Sequence, residues 1–497
     1  MVLQGAAAAS VLVATGCTTS SSTPATRQPP SGPAATARGG TTTRRDAPTR
    51  ADWLALAASI DGDVIRRNNH AYAAAKRLFD PRFDARSPLA VVEATSAHDV
   101  AEAIRFARRF DLAARPRAGG HSYVGASTVD DGLVIDVGRI DRTHYDASSR
   151  RATVGPGARL YDVHAALARH GRSIPTGTCP TVGAAGLALG GGLGVDSREH
   201  GLTCDRLVSL TIVTADGVIR TVDADQNTDL LWGCRGGGGG NFGVVTSLRF
   251  ATHPTRRLGF FLVAFPWSAA SDLLEGWSSR VRQMPRSSWM NLHLEAGADG
   301  STRARVVGVC QAGDEDDEAA AIERAVGVDA TGTSTFQRSF LEGIAFLGGG
   351  TTSDRQAFAA GSDVIAEMSP RLARTLPRVV AQRAASHHAV AVILDPLTGA
   401  VRDQAPGAGA FPWRRHLADI QWYINLPLHP THAAVAAAYD WIDSAHRVLG
   451  SSSVGGYVNY LEPGRPVASY YGGNIRRLRR IKDRHDPDGF FHSAYTV

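Results

Sequence analysis

Lysine is almost missing from this chain of 497 residues; it occurs only at Lys76 and Lys482, so the formal net charge of +6 is nearly all arginine. No basic stripe is interleaved with aromatics, which argues against a nucleic-acid partner. Cysteine is scarce as well. The five, Cys17, Cys179, Cys204, Cys234 and Cys310, lack zinc-type spacing, so no metal site is expected. Their odd number makes a poor disulfide framework, although a pair among the last three stays open. No apolar run is long enough to cross a bilayer as a helix.

Residues 1–17 carry a short Ala-rich apolar run that ends in Ala14-Thr15-Gly16-Cys17. This end resembles a bacterial lipobox with Ala14 where Leu or Val is usual, and it makes Cys17 a candidate lipid anchor. A positive n-region is missing, as expected if the true start lies upstream and Val2 to Ala9 follow the paired arginines of a twin-arginine signal. The expectation is export to the cell envelope or beyond; the alternative is a cytoplasmic protein with a disordered tail. Residues 18–50 are rich in Ser, Thr, Pro and Gly and read as a flexible tether.

The chain is too long for one compact core, so at least two subdomains are expected. Ser96 opens a helix with Val100, Ala103, Ile104 and Ala107 on one face. Strands follow at Ala113–Ala118 and Leu133–Val137, and a helix from Leu160 to Ala168 is closed by Gly171. Leu207–Val213 and Val218–Val222 form a hairpin across Asp216-Gly217. Without a regular strand–helix–strand beat, the fold class is α+β. We divide the chain into a first domain over 51–253, a second over 254–455 with an antiparallel sheet, and a segment over 456–497 that returns to the first. In that last segment Ile475, Leu478 and Ile481 share one face of a docked helix with a solvated arginine side.

Two glycine-bordered turns carry the reactive side chains. Gly119-Gly120-His121-Ser122-Tyr123 presents an imidazole, and Gly177-Thr178-Cys179-Pro180-Thr181-Val182-Gly183 presents a thiol. Glycine there lets backbone lie flat against a ligand. Such a pair could ligate a metal or bond covalently to a cofactor; a zinc hydrolase would need further ligands, and none stand at suitable spacing. Gly238 to Gly243 satisfies G-x-G-x-x-G but is followed by the strand Val244–Phe250, so it is no dinucleotide fingerprint. It still allows backbone to approach an anion, as do Gly190, Gly191, Gly192 and Gly194.

Together with Arg117, Gly186, Asp205, Gly243-Val244-Val245, and Tyr457-Val458-Asn459-Tyr460, these motifs resemble those of the berberine bridge enzyme-like FAD-linked oxidases. The resemblance implies a two-part PCMH/VAO-type FAD-binding fold with the substrate domain covering the flavin. It also implies FAD tethered twice, through His121 to the 8α-methyl and through Cys179 to C6. Arg117, Gly119, Gly120, Ser122, Tyr123, Gly177, Thr178, Val182, Gly183, Gly186, the Gly190 to Gly192 run, Asp205, Gly243 to Val245, Tyr457 and Asn459 would contact the cofactor.

Tyr460 falls where the family places its catalytic base, which requires neighbours that favour the phenolate. Asp395 resembles the aspartate that pairs with that tyrosine. Gln421 stands where alkaloid-cyclising members carry a glutamate; an amide cannot act as that base, so alcohol oxidation is favoured and Gln421 would hold a hydroxyl. Val182 falls at the oxygen gate, and its small side chain favours an oxidase that takes a hydroxyl substrate and O₂ and releases hydrogen peroxide. The alternatives are a dehydrogenase of the same fold and a flavin- or ligand-binding protein without turnover.

Overall fold

The computed structural model describes residues 47–497, so Cys17 and most of the tether lie outside the described residues. Regular structure begins at the helix Arg50–Ala58. Thr49 caps it by accepting from the Asp52 amide while the Asp52 carboxylate accepts from the Thr49 amide at 2.9 Å.

Two sheets build the first half. Asp63–Arg66, Ala90–Glu93, Leu133–Asp136 and Ala114–Arg117 lie side by side in that order. Leu133–Asp136 runs parallel to both of its neighbours, while the edge strand Asp63–Arg66 is antiparallel. The helix Ala97–Arg109 covers this sheet with Val100, Ala103, Ile104 and Ala107 fully buried. The second sheet has five strands, all antiparallel: Thr143–Asp146, Arg151–Val154, Gly243–Ala251, Leu207–Thr214 and Ile219–Val222. Its hairpin turns at Gly217, whose φ of 73° suits glycine.

An eight-stranded antiparallel sheet dominates the second half, in the order Gly332–Arg338, Leu258–Phe265, Thr302–Gln311, Trp289–Ala296, Val390–Pro396, Ala418–Asn425, Phe358–Ile365 and Ser453–Gly455. Alternate residues point to opposite faces. Leu292, Leu294, Val392, Leu394, Ile420 and Trp422 bury one face against the helices Ala270–Gln283, Glu315–Val326, Pro370–Ala385 and His432–Leu449. The intervening residues, among them Asn291, Ile393, Asp395, Gln421 and Tyr423, line a cavity between this sheet and the first half.

The chain then crosses back. Val458, Tyr470, Tyr471, Leu478 and Ile481 pack into the same core as Leu230 and Trp232, and Arg476, Arg479 and Arg480 stay exposed. Lys482 departs from that solvated face. It is buried and donates to the carbonyls of Asn241 and Phe491 and to Asp486. No disulfide forms among Cys204, Cys234 and Cys310; these three and Cys179 are free thiols, and burial pushes Cys234 up to about 12. Among the described residues, no helix is long and apolar enough to cross a membrane.

Candidate active site

The cavity has a volume of about 820 Å³. One wall is built from the glycine turns. The strand Ala114–Arg117 delivers the first of them, and a side chain on Gly119 would sit 2.3 Å from the Gly183 amide nitrogen. Gly183 meets the Gly119 nitrogen equally closely, so the two turns hold each other through bare backbone.

His121 stacks on Phe79 with ring centroids 3.9 Å apart. Its Nε2 lies 3.1 Å from Thr181 Oγ1, which in turn meets Ser353 Oγ at 2.6 Å. Burial lowers the imidazole to about 4, so it is neutral, and nucleophilic, at physiological pH. Cys179 is half-buried and also lines the cavity. A cluster of aromatic side chains stands at that end. Tyr460 stacks on Tyr123 at 5.2 Å and meets Tyr457 edge-on at 5.0 Å. Gln421 donates from Nε2 to Tyr123 Oη at 2.8 Å. The Tyr457 hydroxyl accepts from the Gly192 amide and from Asn459 Nδ2, and Asn459 donates to the Leu187 carbonyl as well.

Of the residues singled out from sequence, Tyr460, Asp395, Gln421, His121, Cys179, Arg117, Gly119, Gly120, Ser122, Tyr123, Gly177, Thr178, Val182, Gly183, Gly186, Gly243, Val244, Val245, Tyr457 and Asn459 all line this one cavity. Gly190, Gly191, Gly192 and Asp205 do not. Gly190 lies against Asn459, where a Cβ would come within 1.9 Å of the amide oxygen, and Gly192 is similarly closed by Thr203. Asp205 is turned away, caps the Leu202 amide and forms a two-pronged ion pair with Arg414. These four support the wall from behind.

A second correction concerns Tyr460. Its neighbours do not favour the phenolate: burial first, then Tyr123, Asp395, Asp419 and Tyr457, push it well above the ordinary tyrosine range. Asp395 is raised to about 6 by burial, against the opposing hydrogen bond from Asn291. No hydrogen bond joins Asp395 to Tyr460 among the described residues. Sequence reasoning passed over Tyr423, Asn291, Trp289, His293 and Arg305, which share the cavity face of the sheet. The signal was alternation: once Gln421 is a site residue, Tyr423 and Asp419 must lie on its face.

Comparisons with known proteins bear on what the cavity holds. A family profile described as an FAD binding domain matches residues 88–223, and one described as berberine and berberine like matches residues 456–497. The chain thus carries an FAD-binding-domain match and a berberine-like match, and over most of its length it is similar to FAD-linked oxidoreductases. The xylooligosaccharide oxidase of Thermothelomyces thermophilus is 29% identical over 466 residues, 87% of this chain and 92% of that one. The structure of xylooligosaccharide oxidase from Myceliophthora thermophila C1 in complex with xylobiose superposes with a TM-score of 0.78 at 27% identity, covering 89% of this chain and 98% of that one. BBE-like 1 of Physcomitrella patens shares the fold, with a TM-score of 0.81 at 23% identity over 90% of this chain and 98% of that chain.

The residues present fit FAD. Gly186 lines the cavity with nothing within 4 Å of where its Cβ would be, so its face stays open for a flat ring system. Arg117 is buried against Asp136 and the Ala75 carbonyl, yet its Nη1 has no partner. That nitrogen is a spare donor for an anionic group. The backbone of Gly238, Gly239 and Gly240 lines the same space, as an anion cradle made of loop amides would.

Proposed function

We propose that this protein is an FAD-dependent oxidase of hydroxyl groups, with a sugar or oligosaccharide ahead of a secondary-metabolite alcohol as substrate, and that His121 and Cys179 both bond to the flavin. Bound FAD supplies the acceptor for hydride from the carbinol carbon, and O₂ takes both electrons and leaves as hydrogen peroxide. The observation that carries the reading is the convergence of Tyr460, Asp395, Gln421, His121 and Cys179 on one cavity. The named activity of the xylooligosaccharide oxidase relative supports the substrate class.

The roles follow from the electrostatics. Tyr460 is too weak an acid to wait as phenolate, so it takes the substrate's hydroxyl proton only while giving up its own. Asp395, raised to about 6, is the receiver: it is ionised at neutral pH and less solvated than a surface carboxylate. Gln421 orients the Tyr123 hydroxyl, and through it the far side of the stacked phenol. Val182 leaves room for oxygen beside the flavin. Cys17 would anchor the exported protein to lipid.

A panel of mono- and oligosaccharides and alcohols, assayed for hydrogen peroxide, tests the reading. Steady peroxide release with a sugar or alcohol is the expected result. Reduction of the flavin without peroxide would make it a dehydrogenase, and no reduction by any hydroxyl compound would leave a binding protein.

A further inference from the structure

Asp395 has a partner that the reaction as written does not use. The strands Val390–Pro396 and Ala418–Asn425 pair antiparallel, and their register sets Asp395 directly opposite Asp419. Opposed residues share a face with Cβ atoms roughly 4.5–5.5 Å apart. Asp419 is 1% exposed, shares the cavity-side face without lining the cavity, and neither of its carboxyl oxygens has a hydrogen-bond partner. A carboxyl this deeply buried opposite another, with no ion-pair partner of its own, disfavours ionisation of both at once.

The surroundings decide which one keeps the proton. Around Asp419 stand Asp395, Asp363 and Glu462 as acids, Arg465 as the nearest cation, and the hydroxyls of Tyr123, Tyr457 and Tyr460. Arg465 is already engaged by Glu462 at 2.7 Å and by Asp363 at 3.5 Å, and both acids also hold His446. Asp419 forms no salt bridge among the described residues. Burial and these acidic neighbours push it well above the carboxylate range, whereas Asp395 faces the cavity and takes a hydrogen bond from Asn291.

We propose that Asp419 is a positioning residue that stays protonated through the working pH range and presents its acid hydrogen to Asp395. The pair then carries a single proton, with Asp395 as the ionised member ready for the Tyr460 proton. When that proton arrives both carboxyls are neutral, so no step leaves two adjacent anions in the sheet. A neutral donor beside Asp395 favours its carboxylate form; an ionised neighbour would do the reverse. This inference rests on the reading of Asp395 as proton acceptor.

The test is the pH profile of flavin reduction in the oxygen-free holoenzyme with the best substrate of the sugar and alcohol panel. Asp419→Leu removes an unpartnered buried acid for an apolar group of similar size, a change that cores tolerate. It deletes the donor, so the acid limb should move to higher pH by about one unit or more. Asp419→Asn keeps an N–H donor and should bring the limb back toward the wild-type position. In the infrared, a protonated-carboxyl C=O band at neutral pH should be present in the wild type and missing from Asp419→Asn, whatever the activity. A limb that moves to lower pH in Asp419→Leu, or the same profile in all three proteins, overturns the inference, as does absence of the band. Asp395→Asn separates the two levels: if it leaves the acid limb intact, the acceptor assignment itself is wrong. If it abolishes the limb while Asp419→Leu shifts nothing, only the role of Asp419 is wrong.

Discussion

Neighbouring strands of one sheet carry Asp363 and Asp419 at adjacent positions on opposite faces. Asp363 and Glu462 hold His446 between them at 2.6 and 2.5 Å, and Arg465 completes two anions and two cations. Asp363 also accepts from the Trp422 indole and Ser453, and Glu462 from the Ser362 amide, so these acids are satisfied on every side. One strand away, Asp395 and Asp419 stand opposite each other; Asp395 takes a hydrogen bond from Asn291, and Asp419 forms no ion pair among the described residues. Asp419 is as deep as Asp363, while Asp395 opens to the cavity; partners differ. A buried acid with cations is a structural ion, and a buried acid without them is a place to put a proton.

The largest expected effect breaks the proton-handling side. Tyr460→Phe keeps the stacked ring and removes the hydroxyl, so flavin reduction in rapid mixing should slow by about 100- to 10,000-fold while the protein stays folded and yellow. Next comes the ion-paired side. Asp363→Ala strands His446 and Arg465 and should cost about 3–5 kcal/mol in urea unfolding. Asp419→Leu, on the same scale, should leave stability unchanged or slightly higher.

Acidity gives the two sides opposite signs. His446 is raised to about 9, its two carboxylate partners outweighing burial. A raised histidine contributes stability in full below its ordinary value near 6.5 and loses it as pH climbs through about 9. Thermal midpoints should therefore fall across that interval, and less so in His446→Gln. Asp395 must be ionised to receive a proton, so flavin reduction should rise with pH through about 6. Activity and stability should thus part company on the alkaline side.

Glycines of the cofactor wall sharpen the comparison further. Gly186→Leu has room for its side chain only in the cavity, and should fold normally but bind little flavin, read from its visible absorbance. The smallest effect belongs to Val182→Leu. It should slow reoxidation by oxygen and spare reduction by substrate; equal slowing of both would discard the gate.

How far the site was legible follows the same divide. His121 and Cys179 stand in turns whose glycines are demanded by backbone contact, as between Gly119 and Gly183, so the local sequence carries their purpose. An antiparallel sheet was expected in the second domain, and its strands show the alternation, as at Leu292, Leu294, Val392 and Leu394. The Asp395–Asp419 pairing was not. It depends on the register between two strands joined by a long connection, and nothing local in either strand encodes that register. Gly190 to Gly192 and Asp205 stand outside the cavity lining, and local sequence does not tell a glycine closed against a side chain from one opened to a ligand.

Every role assigned on the cavity side presupposes a flavin held at His121 and Cys179. Acid-precipitated holoprotein, washed and redissolved, tests this most directly. The yellow absorbance should remain with the polypeptide in the wild type and in His121→Ala or Cys179→Ala alone, and leave it only in the double variant. Pigment released entirely into the supernatant from the wild type would contradict the account.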